Sequence, residues 1–233
     1  MVTTLYLIRH GETEGSETKC YKGSIDVPLS ARGIGQIRQA SAFIVQDIAT
    51  AGTARYLGYL KDIHGGNNAP ATPAQKLTHV YCSDLGRAVK SAGIIAEPHG
   101  LTPIIVPALR ERSFGIWEGM SFLEIKERYP EEFEAWASNP VKHSPPGGES
   151  TMDIRERAVT ALEAIMDRHS GSEAGPNIAI VAHGGVNRVL LCHIMGIPLE
   201  NVFRIEQDFA AVNIIEFWEK NPVVKLLNGG PHG

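Results

Sequence analysis

Two histidines each stand directly behind a short apolar run and directly before a glycine. Residues 5–8 lead into Arg9-His10-Gly11-Glu12-Thr13, and residues 178–182 lead into His183-Gly184-Gly185. An apolar run of this length reads as a buried strand, and the glycine behind it permits a sharp turn. In an open parallel sheet the carboxyl ends of the strands converge on one crevice, so both imidazoles are expected to face one ligand. Neutral imidazole is a nucleophile, and Arg9 beside it supplies a fixed positive charge. That pairing suits attack on an electrophile bearing negative charge, of which a phosphoryl group is the natural example.

Other residues fit the same chemistry. Tyr81-Cys82-Ser83-Asp84-Leu85-Gly86-Arg87-Ala88 passes from a strand pattern into a helix pattern. Taken alone, Ser83 or Asp84 reads as a helix cap and Arg87 as a solvated side chain. Beside Arg9, however, Arg87 supplies a second planar fork for the non-bridging oxygens of a phosphoryl group. Glu111 follows the strand-like residues 104–106 and is the candidate acid, although Arg110 and Arg112 also allow an ordinary surface ion pair. Glu118 is the weaker rival, read as a helix-start or loop carboxylate. His183 is expected across the phosphate from His10, donating a hydrogen bond or positive charge, and Gly184 should let a backbone amide approach. His10, His183, Asp84 and Cys82 are residue types that bind metal, yet two guanidinium groups would oppose a cation there. Neither metal nor cofactor is expected.

The elements that must hold these residues alternate between strand and helix patterns, which places the chain in the α/β class with a mostly parallel sheet. Ser30 can cap a helix whose apolar positions are Ile34, Ile37, Ile44 and Ile48, with Ala40 and Phe43 beside them. Residues 49–77, rich in Ala, Gly, Pro, Asn and Thr around a Tyr56-Leu57-Gly58-Tyr59-Leu60 cluster, read as a surface insertion. Residues 79–83 read as a second strand, 84–96 as its helix, and 122–139 as helical segments interrupted near Pro130. Pro145-Pro146-Gly147-Gly148 breaks the chain before a long helix. Ser150 and Asp153 resemble its capping box, with Ala158, Leu162, Ile165 and Met166 on one face. Gly196 closes the helix that follows His183. The tail reads as an antiparallel hairpin, residues 212–218 and 223–227, at a sheet edge.

Composition narrows the function class. The 233 residues are 43% hydrophobic, enough for a sizeable core, and are read as a single domain over 1–233. A formal charge of −4 offers no basic field for nucleic acid. No segment is apolar for long enough to span a bilayer, and no stretch reads as a signal peptide. Cys20, Cys82 and Cys192 lack metal-type spacing and suit reduced thiols, so a cytoplasmic protein is expected. The oligomeric state, a homodimer included, is left open.

In this order the motifs resemble the histidine phosphatase superfamily, which includes cofactor-dependent phosphoglycerate mutases and many small phosphatases. The resemblance runs from Leu5 to His183. It rests on Arg9-His10-Gly11-Glu12-Thr13, Ser83-Asp84-Leu85-Gly86-Arg87-Ala88, Glu111 followed by Phe114-Gly115 and Trp117-Glu118-Gly119, and Val181-Ala182-His183-Gly184-Gly185. It implies a three-layer α/β/α fold with an antiparallel edge on the sheet. It also implies His10 as the phosphorylated nucleophile, Arg9, Arg87 and His183 as phosphoryl ligands, and Glu111 as the proton donor. Many relatives continue the first motif with Glu-Trp-Asn, whereas this chain has Glu14-Gly15-Ser16, and Ser16 can still donate one hydrogen bond. The block from Tyr21 to Ser30 resembles the family's substrate-side loop and adds Lys22 and Gly23 as substrate contacts. Lys22 stands where a neutral glutamine is frequent, and reads either as a positive contact to substrate or as an exposed lysine.

The expected activity is hydrolysis of small phosphomonoesters through a phosphohistidine, on the small-phosphatase branch. Pro146-Gly147-Gly148-Glu149-Ser150 resembles that branch, and residues 119–144 carry no paired-arginine clamp to retain a bisphosphate. Phosphoglycerate mutase is the first alternative. A module that binds a phosphorylated partner without turnover is the second, opposed by a carboxylate facing an anion.

Overall fold

The computed structural model describes residues 2–54, 76–169, 175–218 and 221–230. Six strands form one sheet: β1 (Val2–Arg9), β2 (His79–Cys82), β3 (Ile104–Ile105), β4 (Asn177–Ala182), β5 (Val212–Trp218) and β6 (Asn221–Gly229). Their order is β3-β2-β4-β1-β5-β6. The first four of these run parallel, while β5 is antiparallel to β1 and β6 antiparallel to β5. The central β4 is buried along its whole length, as a strand covered on both faces must be.

Alternation along the strands sorts the core into two halves. Tyr6, Ile8, Val80 and Val181 face α1 (Ala31–Ala54) and α2 (Gly86–Ala96), meeting Ile37, Ala40, Ile44, Ala88, Ala92 and Ile95. Leu5, Leu7, Tyr81 and Ile180 face α5 (Thr151–His169) and α6 (Gly184–Met195), meeting Ile154, Ala158, Leu162, Val189 and Leu190. The result is the three-layer α/β/α arrangement. Each fully buried aliphatic side chain contributes about 1.5–3 kcal/mol. A smaller cluster, Trp117, Ile125 and Phe133, joins α3 (Phe122–Arg128) and α4 (Pro130–Ser138) beside the carboxyl edge.

Local signals act where they were expected. Ser30 Oγ accepts the Gly33 N–H at 3.0 Å as the cap of α1. Ser150 and Asp153 form their reciprocal bonds at the start of α5, and Gly196 adopts φ 65° at the end of α6.

Two expectations need correction. Asp84 caps nothing: α2 begins at Gly86 behind Leu85 without a side-chain cap, because the Asp84 carboxylate is held by Arg110 at 2.9 and 2.5 Å. At the flanks of the 49–77 stretch, α1 continues through Ala54, and Leu77 is fully buried with its backbone N–H donating to His99 Nδ1 at 3.2 Å, while residues 55–75 lie outside the described residues. The Tyr56–Leu60 cluster lies outside the described residues. The strand over 104–106 shrinks to two exposed residues at the sheet edge, Ile104 and Ile105.

Candidate active site

Strand register builds the centre of the site. Arg9 pairs with Ala182, and Cys82 with Val181, so His10, His183 and Ser83 emerge side by side from β1, β4 and β2. The two imidazoles lie 5.1 Å apart between ring centroids, edge to face. His10 Nδ1 is 2.7 Å from the Gly11 carbonyl oxygen. A carbonyl only accepts, so Nδ1 carries the proton and Nε2 keeps its lone pair. Burial, then the neighbouring charges of His183, Arg9 and Arg87, hold His10 well below the usual histidine range, which keeps the ring neutral. The Gly11 N–H donates to Ser91 Oγ at 3.4 Å, so the turn that aims the ring is anchored on α2. His183 is fully buried and caps α6, whose N-terminal amides and dipole face the same space.

Both expected guanidinium groups converge on this point. Arg9 donates to the Gln207 carbonyl at 2.5 Å and stacks on Phe209, 4.0 Å from the ring centroid, which leaves its buried Nε without a partner among the described residues. Burial lowers its pKa to about 10, so it remains charged at neutral pH. Arg87 donates to the Ile25 and Gly23 carbonyls, each at 2.7 Å, and so ties the substrate-side loop to α2. A Cβ on Gly184 would stand 3.3 Å from the Arg9 guanidinium, which would have to give by a few tenths of an ångström, and at ordinary contact, 3.5 Å, from Arg188.

Glu111 lies on the same pocket wall. Its Oε2 accepts the Gly185 N–H at 3.1 Å and its Oε1 the Arg112 N–H at 2.9 Å. Neither neighbouring arginine pairs with it. Arg110 holds Asp84, and the buried Arg112 side chain bonds Thr151 Oγ1. Glu118 is a loop carboxylate: its Oε1 gathers the N–H groups of Ser24 and Phe114 at 2.9 and 3.0 Å. Asp84 is committed to Arg110 and Cys82 is fully buried, and among the described residues no group of three or more His, Cys, Asp or Glu side chains is arranged to hold a metal ion.

The cavity measures about 340 Å³ and includes Arg9, His10, Ser16, Lys22, Gly23, Arg87, Glu111 and Gly184 in its wall. Ser16 reaches the wall, where its hydroxyl donates to the Thr13 carbonyl at 2.7 Å. Lys22 is half-buried, with Nζ on the Glu14 carbonyl, and belongs to the wall rather than to open surface. Gly23 adopts φ 48°, a left-handed conformation that favours glycine.

Sequence reasoning missed Arg112, Arg188, Phe209 and Trp136, all in the wall, and Arg157 behind it. Arg157 pairs with Glu149 at 2.7 Å and donates to the carbonyls of Ala108 and Arg110 at 2.8 and 2.6 Å, fixing the backbone that carries Glu111. No local pattern marks such residues, because their partners lie on distant elements.

The chain matches the model of the histidine phosphatase superfamily (branch 1) over residues 5–52 and 68–229. It is 27% identical over 224 residues to phosphoserine phosphatase 1 of Hydrogenobacter thermophilus, covering 96% of this chain and 91% of that one. It is 31% identical over 188 residues to phosphoglycerate mutase-like protein 4 of Arabidopsis thaliana, covering 80% and 68% respectively. The crystal structure of the alpha-ribazole phosphatase from Shigella flexneri superposes with a TM-score of 0.78 at 25% identity, covering 97% of this chain and 96% of that one. With the family match spanning nearly all of the sheet and both histidine turns, the chain belongs to the histidine phosphatase superfamily, branch 1.

Proposed function

We propose that this protein is a metal-independent phosphomonoesterase that hydrolyses small phosphorylated metabolites through a phosphohistidine at His10. The observation that carries the reading is the His10 Nδ1 bond to the Gly11 carbonyl, which leaves a neutral Nε2 lone pair on a ring that lines the cavity together with Arg9 and Arg87. Nε2 attacks phosphorus in line while Arg9, Arg87 and His183 hold the non-bridging oxygens. The bond from phosphorus to the ester oxygen breaks, and Glu111 gives its proton to the departing alkoxide. Glu111, now ionised, takes a proton from water as the water oxygen attacks phosphorus. The phosphorus–nitrogen bond breaks and His10 recovers its lone pair.

The names of the relatives support the substrate class: phosphoserine and alpha-ribazole phosphatases act on small phosphorylated molecules. The mutase alternative shares the first half-reaction but requires that a second phosphate be retained. Of residues 119–144, the cavity wall includes Trp136, whereas Lys126, Arg128 and Lys142 are exposed away from it. That distribution supports hydrolysis. We also read the chain as a single domain acting in the cytoplasm, for which its three free thiols are suited.

The test is chemical trapping. Brief reaction with a labelled phosphomonoester should leave an acid-labile, base-stable phosphoryl group on His10, and His10→Ala should abolish turnover. Substantial turnover by that variant, or a label on another residue, overturns the assignment.

A further inference from the structure

His183 Nε2 lies 2.6 Å from Ser83 Oγ, and both residues are fully buried. Among the described residues, the other ring nitrogen, Nδ1, is buried and has no protein partner. Ser83 Oγ makes one further contact, accepting the Leu85 N–H at 3.4 Å. Two assignments of the protons are open to a neutral ring. If Nε2 carries the proton, Ser83 Oγ accepts twice, its own hydroxyl proton finds no acceptor among the described contacts, and the buried Nδ1 lone pair is left without a donor among the described residues. If Ser83 donates to Nε2, its oxygen is free to accept from Leu85, and the N–H at Nδ1 is the one group of the pair left without a protein partner among the described residues.

We infer that Ser83 sets the tautomer of His183, so that a neutral ring presents Nδ1–H to the phosphoryl oxygens. This deepens the phosphomonoesterase reading and rests on it for the ligand. Ser83 touches no substrate. It is a positioning residue acting through His183, and it removes the need for an imidazolium at that place. The charges around the ring agree: after burial itself, Arg87, Arg9, Arg157 and Arg110 all make a proton on His183 costly, and His10 stands edge to face against it. A charged ring would add a third cation to a pocket that already holds two guanidinium groups, whereas an N–H donor adds a directed hydrogen bond without that cost.

The geometry also shows why a strand end supplies the hydroxyl. Ser83 follows β2 and donates its backbone N–H to the Val181 carbonyl at 3.3 Å, so its side chain is held beside His183, the residue that follows β4. Ring and hydroxyl are thus fixed by sheet register rather than by flexible loops.

Long-range proton–nitrogen correlation spectra of 15N-histidine-labelled protein, recorded between pH 6 and 8 and assigned against His183→Gln, read the tautomer directly. The wild-type ring should show a protonated Nδ1 and an unprotonated Nε2 throughout. Ser83→Ala should move the proton to Nε2 and lower kcat by roughly 100-fold, the size of losing one oxyanion donor. Ser83→Thr, which keeps the hydroxyl, should restore Nδ1–H. A wild-type His183 protonated at Nε2, or at both nitrogens, overturns the inference whether or not the variants fold. The spectra need no turnover, so that failure is separate from failure of the phosphatase reading, which would appear as a correct tautomer in a protein without phosphomonoesterase activity.

Discussion

The Glu111 carboxylate is held by the Gly185 backbone N–H at 3.1 Å, two residues after His183. The proposed proton donor and a proposed phosphoryl ligand are therefore positioned by one turn at the start of α6. A group that must hand a proton to a leaving oxygen gains from such a support, because small misplacements are costly in rate.

A Cβ at Gly185 would stand 2.6 Å from Glu111 Oε1, so Gly185→Ala should displace the carboxylate while leaving the arginines in place. Glu111→Gln keeps an oxygen for the Gly185 N–H but has no proton to give. Both variants should slow alkyl phosphate turnover by about 100-fold and slow formation of the phosphoenzyme from an aryl phosphate, whose leaving group needs no proton, by far less. Steady-state and burst kinetics on the two ester classes check this. Equal losses on both would mean that Glu111 is not the acid.

Stability should depend on pH through the same histidines. Burial, the first cause for each, lowers the folded-state pKa of His10 and His183 well below 6.5, while the unfolded chain titrates near 6.5. Below that value the unfolded state binds more protons, so the unfolding free energy falls as pH falls. Above it, these two groups contribute no slope. The expected slope is about 1.4 kcal/mol per pH unit for each histidine below pH 6. Urea titrations from pH 7.5 to 5, with and without His10→Gln plus His183→Gln, measure it. The double variant should have the shallower dependence, and an unchanged slope would contradict the assignment of buried neutral rings.

The layers and the convergence of His10 with His183 were legible because strand periodicity and glycine turns are local signals. Ser150 and Asp153 were legible for the same reason, as a cap is written within four residues. What escaped was pairing across the fold. Asp84 sits where a cap is expected, yet Arg110, whose partner cannot be read from spacing, takes its carboxylate. For Ser16, which lines the cavity, what escaped is the bond its hydroxyl donates to the Thr13 carbonyl. Arg188 and Phe209 reach the cavity from a helix interior and from the approach to β5, neither of which carries a motif.

Arg87 joins two jobs that a lysine cannot do together. One guanidinium spans the Gly23 and Ile25 carbonyls at 2.7 Å each, and the same fork faces the cavity beside His10. The Gly86 N–H adds a bond to Asp26 at 3.0 Å, so the substrate-side loop is fastened to the start of α2 at adjacent residues. Arg87→Lys keeps the charge but loses the planar fork, and an ammonium cannot hold both carbonyls and a phosphoryl oxygen in that geometry. The variant should bind vanadate, a mimic of the five-coordinate transition state, at least about 10-fold more weakly, with kcat/KM reduced by a similar or larger factor. Amides of residues 22–26 should also exchange faster with solvent, while those of β1 and β4 stay protected. Loss of vanadate affinity without faster exchange would assign Arg87 to the phosphoryl group alone. Faster exchange with unchanged affinity would make it a loop anchor and remove it from the proposed phosphoryl ligands.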